Sequence, residues 1–226
     1  ALGRYLDKAT APVEFKYTGG QGNDIINLNV AGAVSEDPDF VLNVNAGAGD
    51  DRVVLAGATR LNSTSVDGGT GNNTFVVSTS VGMDAKTTFK SFANFQNYEV
   101  EGAGSSHDFT ALHGVQNVVV ATDAGASTTL RNLPSDIAKV SLSGKNQTIG
   151  NANNADQAFA ALNVVAAKSD TLTVSLDNTA RVDGKLTLNT LNVADQNTTN
   201  LSAVRTLNVV SNGARQTSNE VTTINA

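Results

Sequence analysis

The sequence contains no cysteine, no tryptophan, one methionine and three prolines among its 226 residues. Without cysteine there is no disulfide, no thiolate nucleophile and no cysteine-ligated zinc site. That suits a protein exported into oxidising surroundings, although many cytosolic proteins lack cysteine too. Aromatic residues make up 5% and charged residues 16%. The core must therefore be built from small and β-branched side chains stacked in layers rather than from a few large rings. Fifteen basic residues against 21 acidic ones give a net charge of −6. The lysines and arginines are scattered, which excludes nucleic acid as a partner, since a phosphate backbone calls for clustered positive charge. A modestly acidic surface fits either plain solvation or the attraction of divalent cations.

Long hydrophobic runs are also missing. The most apolar stretch, 158–167, is interrupted by Asn163 and falls well short of the roughly 18 residues of a membrane span, so no membrane insertion is expected. The first residues show no basic stretch leading into an apolar run, so export would depend on a signal elsewhere. Only two histidines occur, His107 and His113. Their spacing does not form a metal pair on a helix or a strand, and both are expected in loops. Ser105-Ser106-His107-Asp108 gathers the residue types of a catalytic triad, but triad members come from distant positions in the chain. Phosphate-binding and dinucleotide-binding glycine patterns are absent. Parallel β folds do host polysaccharide-cleaving enzymes. Such sites use aromatic platforms, which Tyr5, Tyr17 and Tyr98 alone hardly supply. The sequence is read as non-enzymatic.

Two repeats are present. The first is glycine-rich. Gly19-Gly20-Gln21-Gly22-Asn23-Asp24-Ile25-Ile26-Asn27 fits the nonapeptide G-G-x-G-x-D-x-U-x at every specified position, U being a large aliphatic residue. Ala46-Gly47-Ala48-Gly49-Asp50-Asp51-Arg52-Val53-Val54 departs only at Ala46. Gly68-Gly69-Thr70-Gly71-Asn72-Asn73-Thr74-Phe75-Val76 has Asn73 in place of the aspartate. Each motif runs straight into apolar residues of strand type. Glycines allow a tight turn with inward carbonyls, and the aspartate adds a carboxylate to the same concavity. Calcium takes six to eight oxygens, which carbonyls and carboxylates of two stacked turns can provide. Three turns leave two gaps, so two calcium sites are expected, one between the turns of Asp24 and Asp51 and one between those of Asp51 and Asn73. The second should be weaker because Asn73 carries no charge, with Asp50 and Asp67 in compensation. The candidate ligand set is Gly20, Gly22, Asn23, Asp24, Gly47, Gly49, Asp50, Asp51, Asp67, Gly69, Gly71 and Asn73. The competing reading is that these are simply Asn/Asp-Gly turns joining strands.

The second repeat is apolar-x-x-apolar-x-apolar. It starts at Phe95, Val115, Ile137, Phe159, Leu188, Val204 and Val221, with spacings of 20, 22, 22, 29, 16 and 17. Short alternating runs separated by Gly, Asn, Asp and Ser read as strands. Their recurrence without hairpin turns favours a parallel β-solenoid of about ten layers over a β-sandwich. Asparagine recurs before the last apolar position at 163, 192, 208 and 225, as in a stacked amide ladder. Residues 1–80 are read as calcium-binding coils and 81–226 as continuing solenoid, with a candidate short helix near 154–162. The chain stops inside a seventh repeat, which reads as a fragment of a longer protein or as an end that packs against a partner.

The glycine–aspartate turns resemble the RTX repeat family, whose parallel β-roll binds calcium between stacked turns. Unlike tandem RTX arrays, the motifs here lie 27 and 22 residues apart, one to a coil. Together with the Thr/Asn/Ala/Val-rich remainder, the whole is similar to RTX-bearing surface-layer (S-layer) proteins of Gram-negative bacteria. The resemblance implies secretion, calcium-dependent folding at the cell surface, self-association into a two-dimensional lattice and anchoring on lipopolysaccharide. The alternative is a calcium-binding segment of an RTX adhesin, or an accessory module of a secreted RTX enzyme.

Overall fold

The structure, a computed structural model, describes residues 13–29, 40–57, 63–78, 83, 89–102, 104–121, 125–137, 139–143, 157–178, 184–193, 202–213 and 217–226. Strand β1 (Val13–Thr18) runs through the first glycine turn into β2 (Ile25–Asn29). The same step joins β3 (Phe40–Asn45) to β4 (Arg52–Gly57), and β5 (Thr64–Asp67) to β6 (Thr74–Val77). A tighter step, without glycine, joins β7 (Ser91–Ala93) to β8 (Asn97–Val100). Then come β9 (Ser106–Asp108) and a 3-10 turn at Phe109–Ala111. The chain continues through β10 (Asn117–Val120), β11 (Ser127–Arg131), β12 (Lys139–Ser143) and β13 (Gln157–Val165). It closes with β14 (Thr171–Asn178), β15 (Gly184–Asn192), β16 (Thr206–Gly213) and β17 (Thr217–Asn225).

The strands form three sheets. One has the order β1-β3-β5-β7, another holds the even strands from β2 to β16 in sequence order, and the third holds the odd strands from β9 to β17. Every strand pairs in parallel with the strand two places away in sequence. Parallel neighbours cannot be joined by a hairpin, so the chain must leave a sheet, build a strand elsewhere and return one layer further on. No antiparallel pair occurs among the described strands, in line with the lack of hairpin turns in the sequence. The protein is all-β with parallel sheets, an arrangement compatible with the coil stack expected from the repeats. Among the described residues the longest sheet has eight strands, beside an expectation of about ten layers. Among the described residues no helix is long and apolar enough to cross a membrane.

Register explains the composition. Ile26, Val53, Phe75, Tyr98, Val118, Val140 and Val174 stand in one column of the eight-stranded sheet, each paired with the next. All seven are buried. Alternation puts their sequence neighbours on the outer face, so each layer needs one apolar residue at this level and no more. Phe75 is the centre of an aromatic group, with Phe89, Phe92 and Phe95 edge-on to it and Tyr98 tilted against it. A single hydrophobic cluster runs from Ile26 to Val193, so the glycine-turn layers and the later ones share one core.

The apolar-x-x-apolar-x-apolar repeat proves to be two different local structures. Phe95, Val115, Ile137 and Val204 precede even-numbered strands and turn a corner into the eight-stranded sheet. Phe159, Leu188 and Val221 lie inside β13, β15 and β17, where they stack on one another, as do Leu162, Leu191 and Ile224. A corner and an irregular long strand each place two residues between inward positions, so one sequence pattern covers both. The helix expected near 154–162 is not there. Residues 157–162 belong to β13, and 154–156 lie outside the described residues. Pairing of β13 with both β11 and β15 overrides the helix propensity of its alanines. His107 is likewise not a loop residue; it sits fully buried in β9. His113 lies in a turn, as expected, and is exposed.

Candidate metal centre

The three glycine turns stack directly. Ala48 N donates to Gly20 O, Thr70 N to Gly47 O and Gly49 N to Thr70 O, each at 2.9 Å. This contact leaves no space for a side chain at Gly47, Gly49, Gly69 or Gly71, whereas a Cβ on Gly20 or Gly22 would meet nothing. A Cβ on Gly69 would fall on the Gly47 carbonyl, and Gly69 holds a φ of 74° that L-residues rarely adopt. Gly47, Gly49 and Gly71 share that left-handed backbone, whereas Gly20 and Gly22 do not.

At the inner side of each turn the motif's aspartate position forms a ladder. Asp51 Oδ1 accepts from Asp24 N at 2.8 Å, Asn73 Oδ1 from Asp51 N at 2.9 Å and Gln96 Oε1 from Asn73 N at 2.8 Å. Each layer thus lends one side-chain oxygen to an N–H that turn geometry leaves without a main-chain acceptor. An amide oxygen serves this purpose as well as a carboxylate, which is why Asn73 and Gln96 fit where the motif has aspartate. A second ladder runs along the outer side in the opposite sense. Asn23 Oδ1 accepts from Asp50 N, Asp50 Oδ1 from Asn72 N, and Asn72 and Asn97 Oδ1 from the amides of Asn97 and Asn117. Asp67 stands at the entrance to the third turn, where its Oδ1 accepts from Gly69 N and Asn94 Nδ2, both at 2.7 Å.

The second carboxylate oxygen of the inner ladder separates the three turns. Asp24 Oδ2 accepts from Gly20 N at 3.3 Å. In the next turn the equivalent Gly47 N donates instead to Asn45 Oδ1 at 2.9 Å. Asp51 Oδ2 is then left without a hydrogen-bond partner among the described residues, although Asp51 is only 1% exposed. An unpaired carboxylate oxygen in such a place is costly unless a cation meets it. A hard, oxygen-seeking ion such as calcium would suit this one oxygen as a ligand. The cage would be poor in carboxylates, since no group of three or more acidic or histidine side chains converges among the described residues.

Asn45, Asn94 and Gln96 lie outside the nonapeptide and were missed by motif reading. Their only signal is a polar side chain flanking a turn, which is common in a chain this rich in asparagine. A further polar group lies in the core. Tyr98 Oη contacts His107 Nδ1 at 2.8 Å, His107 Nε2 contacts Ser105 Oγ at 2.6 Å, and Ser105 Oγ donates to Gly102 O at 3.2 Å. Ser105 and His107 do meet, but both are buried and the ring's other nitrogen faces a tyrosine rather than a carboxylate. Asp108 turns to the other face, toward Thr110 and Asn132.

Fold and turns together define a class: an all-β protein of stacked parallel strands with one glycine corner in each of three successive layers. No family model, no curated protein and no solved structure matches the chain.

Proposed function

We propose that this chain is a parallel β-solenoid that binds calcium at its stacked glycine turns and serves as a non-enzymatic, structural component of a bacterial surface layer. The observation that carries the calcium reading is the buried, unpartnered Oδ2 of Asp51 between turns whose backbones are already packed together. Asp51 would supply the charge, and carbonyls of its own and the adjoining turn the remaining protein oxygens. When bound, the ion neutralises a carboxylate that otherwise opposes folding, so calcium outside the cell favours the folded state. The surface-layer reading draws on the RTX-like turns and the cysteine-free, Asn/Thr-rich composition. Secretion, self-association into a lattice and attachment to lipopolysaccharide belong to it.

Two measurements test the proposal. Equilibrium dialysis against millimolar calcium should find bound metal, and EDTA should lower the melting temperature; no bound metal at that concentration would leave the turns as turns. Electron microscopy of the secreted protein should show ordered arrays that need calcium. Failure to form arrays at any calcium level would sink the lattice part.

A further inference from the structure

We infer that Asn73 is a built-in substitute for the cation, so that the row of turns holds an ion at the level of Asp51 and is closed to one at the level of Asn73. The inference rests on the calcium reading of the Asp51 turn and narrows it from two gaps to one.

The ladder makes the comparison between levels possible. Asp51 and Asn73 use the same branch, Oδ1, to accept the N–H of the preceding turn. Their remaining branches therefore occupy corresponding places, an oxygen in Asp51 and an NH2 group in Asn73. The Asn73 Nδ2 donates to Asn94 O at 3.0 Å and to Gly69 O at 3.5 Å. It thus faces two main-chain carbonyls, the type of group a hard cation gathers, and presents them with the positive end of an amide dipole. Asn73 is fully buried, so no water is needed to complete the arrangement. One layer earlier the same branch is an anionic oxygen without a partner. Such an oxygen is costly to bury, and a cation or a proton would relieve that cost. The first turn uses a third solution, since Asp24 Oδ2 takes the N–H of Gly20. Three successive layers thus balance one position by a main-chain amide, by a cation and by a side-chain amide.

The exchange of single atoms tests this. Asp51→Asn and Asn73→Asp are made in the full chain, and each is assayed for bound calcium by equilibrium dialysis and for melting temperature in EDTA and in millimolar calcium. Asp51→Asn should lose one bound ion per chain and melt in EDTA at or above the wild-type temperature, because its new NH2 group reproduces the Asn73 arrangement. Asn73→Asp should gain one ion per chain and melt several degrees lower in EDTA, with calcium restoring the loss. A gain of no ion by Asn73→Asp, with a deficit that calcium does not restore, overturns the inference even if the wild type binds calcium. If the wild type binds none while Asn73→Asp binds one, the assignment of Asn73 stands and the calcium reading of Asp51 falls. Should Asn73→Asp fail to fold, the EDTA melt of Asp51→Asn decides, a drop below wild type counting against the inference.

Discussion

His107 shows how a single buried residue sets a pH limit. Its ring lies edge-on to Tyr98 and is fully buried, and burial lowers its pKa from 6.5 to about 4. Gly102 O can only accept, so Ser105 donates to it and accepts from His107 Nε2–H, which leaves Nδ1 to accept from Tyr98. A protonated ring would have no acceptor to offer the tyrosine, whose own ionisation burial drives well upward. The native state thus favours the neutral ring, so the unfolded chain binds more protons between pH 6.5 and 4. Stability is complete above 6.5 and is lost as pH falls through that window, by up to about 3 kcal/mol. Asp108 acts lower down. Although burial alone would raise its pKa, hydrogen bonds from Thr110 and Asn132 hold it below the usual carboxylate range. Urea unfolding of wild type and His107→Gln from pH 7 to 4 should show most of this slope vanish in the variant; an unchanged slope would assign it to carboxylates. None of this was legible in the sequence. Ser105-Ser106-His107-Asp108 looked like a loop because a three-residue strand is too short to show alternation, and Tyr98, the partner that fixes the ring, belongs to another sheet.

Elements were more legible, where one physical cause produced each pattern. Inward columns such as Ile26–Val53–Phe75 follow from strand alternation, and the parallel arrangement follows from the lack of hairpin signals. Asparagine stacking was half legible. Asn225 donates to Asn192 and Asn192 to Asn163, both at 2.7 Å, but Asn208 pairs in register with Thr173 in the eight-stranded sheet and joins no such row. The four looked alike because corner and irregular strand share a spacing. The glycine turns were legible as turns, yet their glycines answer first to backbone stacking. Gly69→Ala should therefore destabilise the fold by about 2–4 kcal/mol with or without calcium, since it adds a collision to a left-handed backbone. Denaturant midpoints in EDTA and in calcium would check this; a loss seen only in calcium would make the glycine a requirement of the ion alone.

On the scale of the molecule, each strand pairs only with those of adjoining layers, and Arg52 alone of the described ion pairs reaches past β6 to Glu99 and Glu101, so cohesion is mainly a sum of layer-to-layer terms. The inner ladder hands oxygens back toward earlier layers and the outer ladder hands them forward, so the second and third glycine-turn layers are tied to both neighbours by side chains as well as by strands. At the last strands the inward row meets solvent, with Val209 39% and Ile224 47% exposed. The parallel return path has a mechanical consequence. Under tension applied to its ends, the described strands offer no hairpins to unzip, and on the solenoid reading the chain should yield layer by layer, each releasing its stored length at once. Ladder partners sit 27, 22, 23 and 20 residues apart in the first layers, so each rupture there should free roughly 70–95 Å of slack. Single-molecule pulling should record a sawtooth with that spacing, and one long release would mean that the layers give way together. In a protein subject to shear, such stepwise yielding would dissipate a load in portions while leaving the other turns wound.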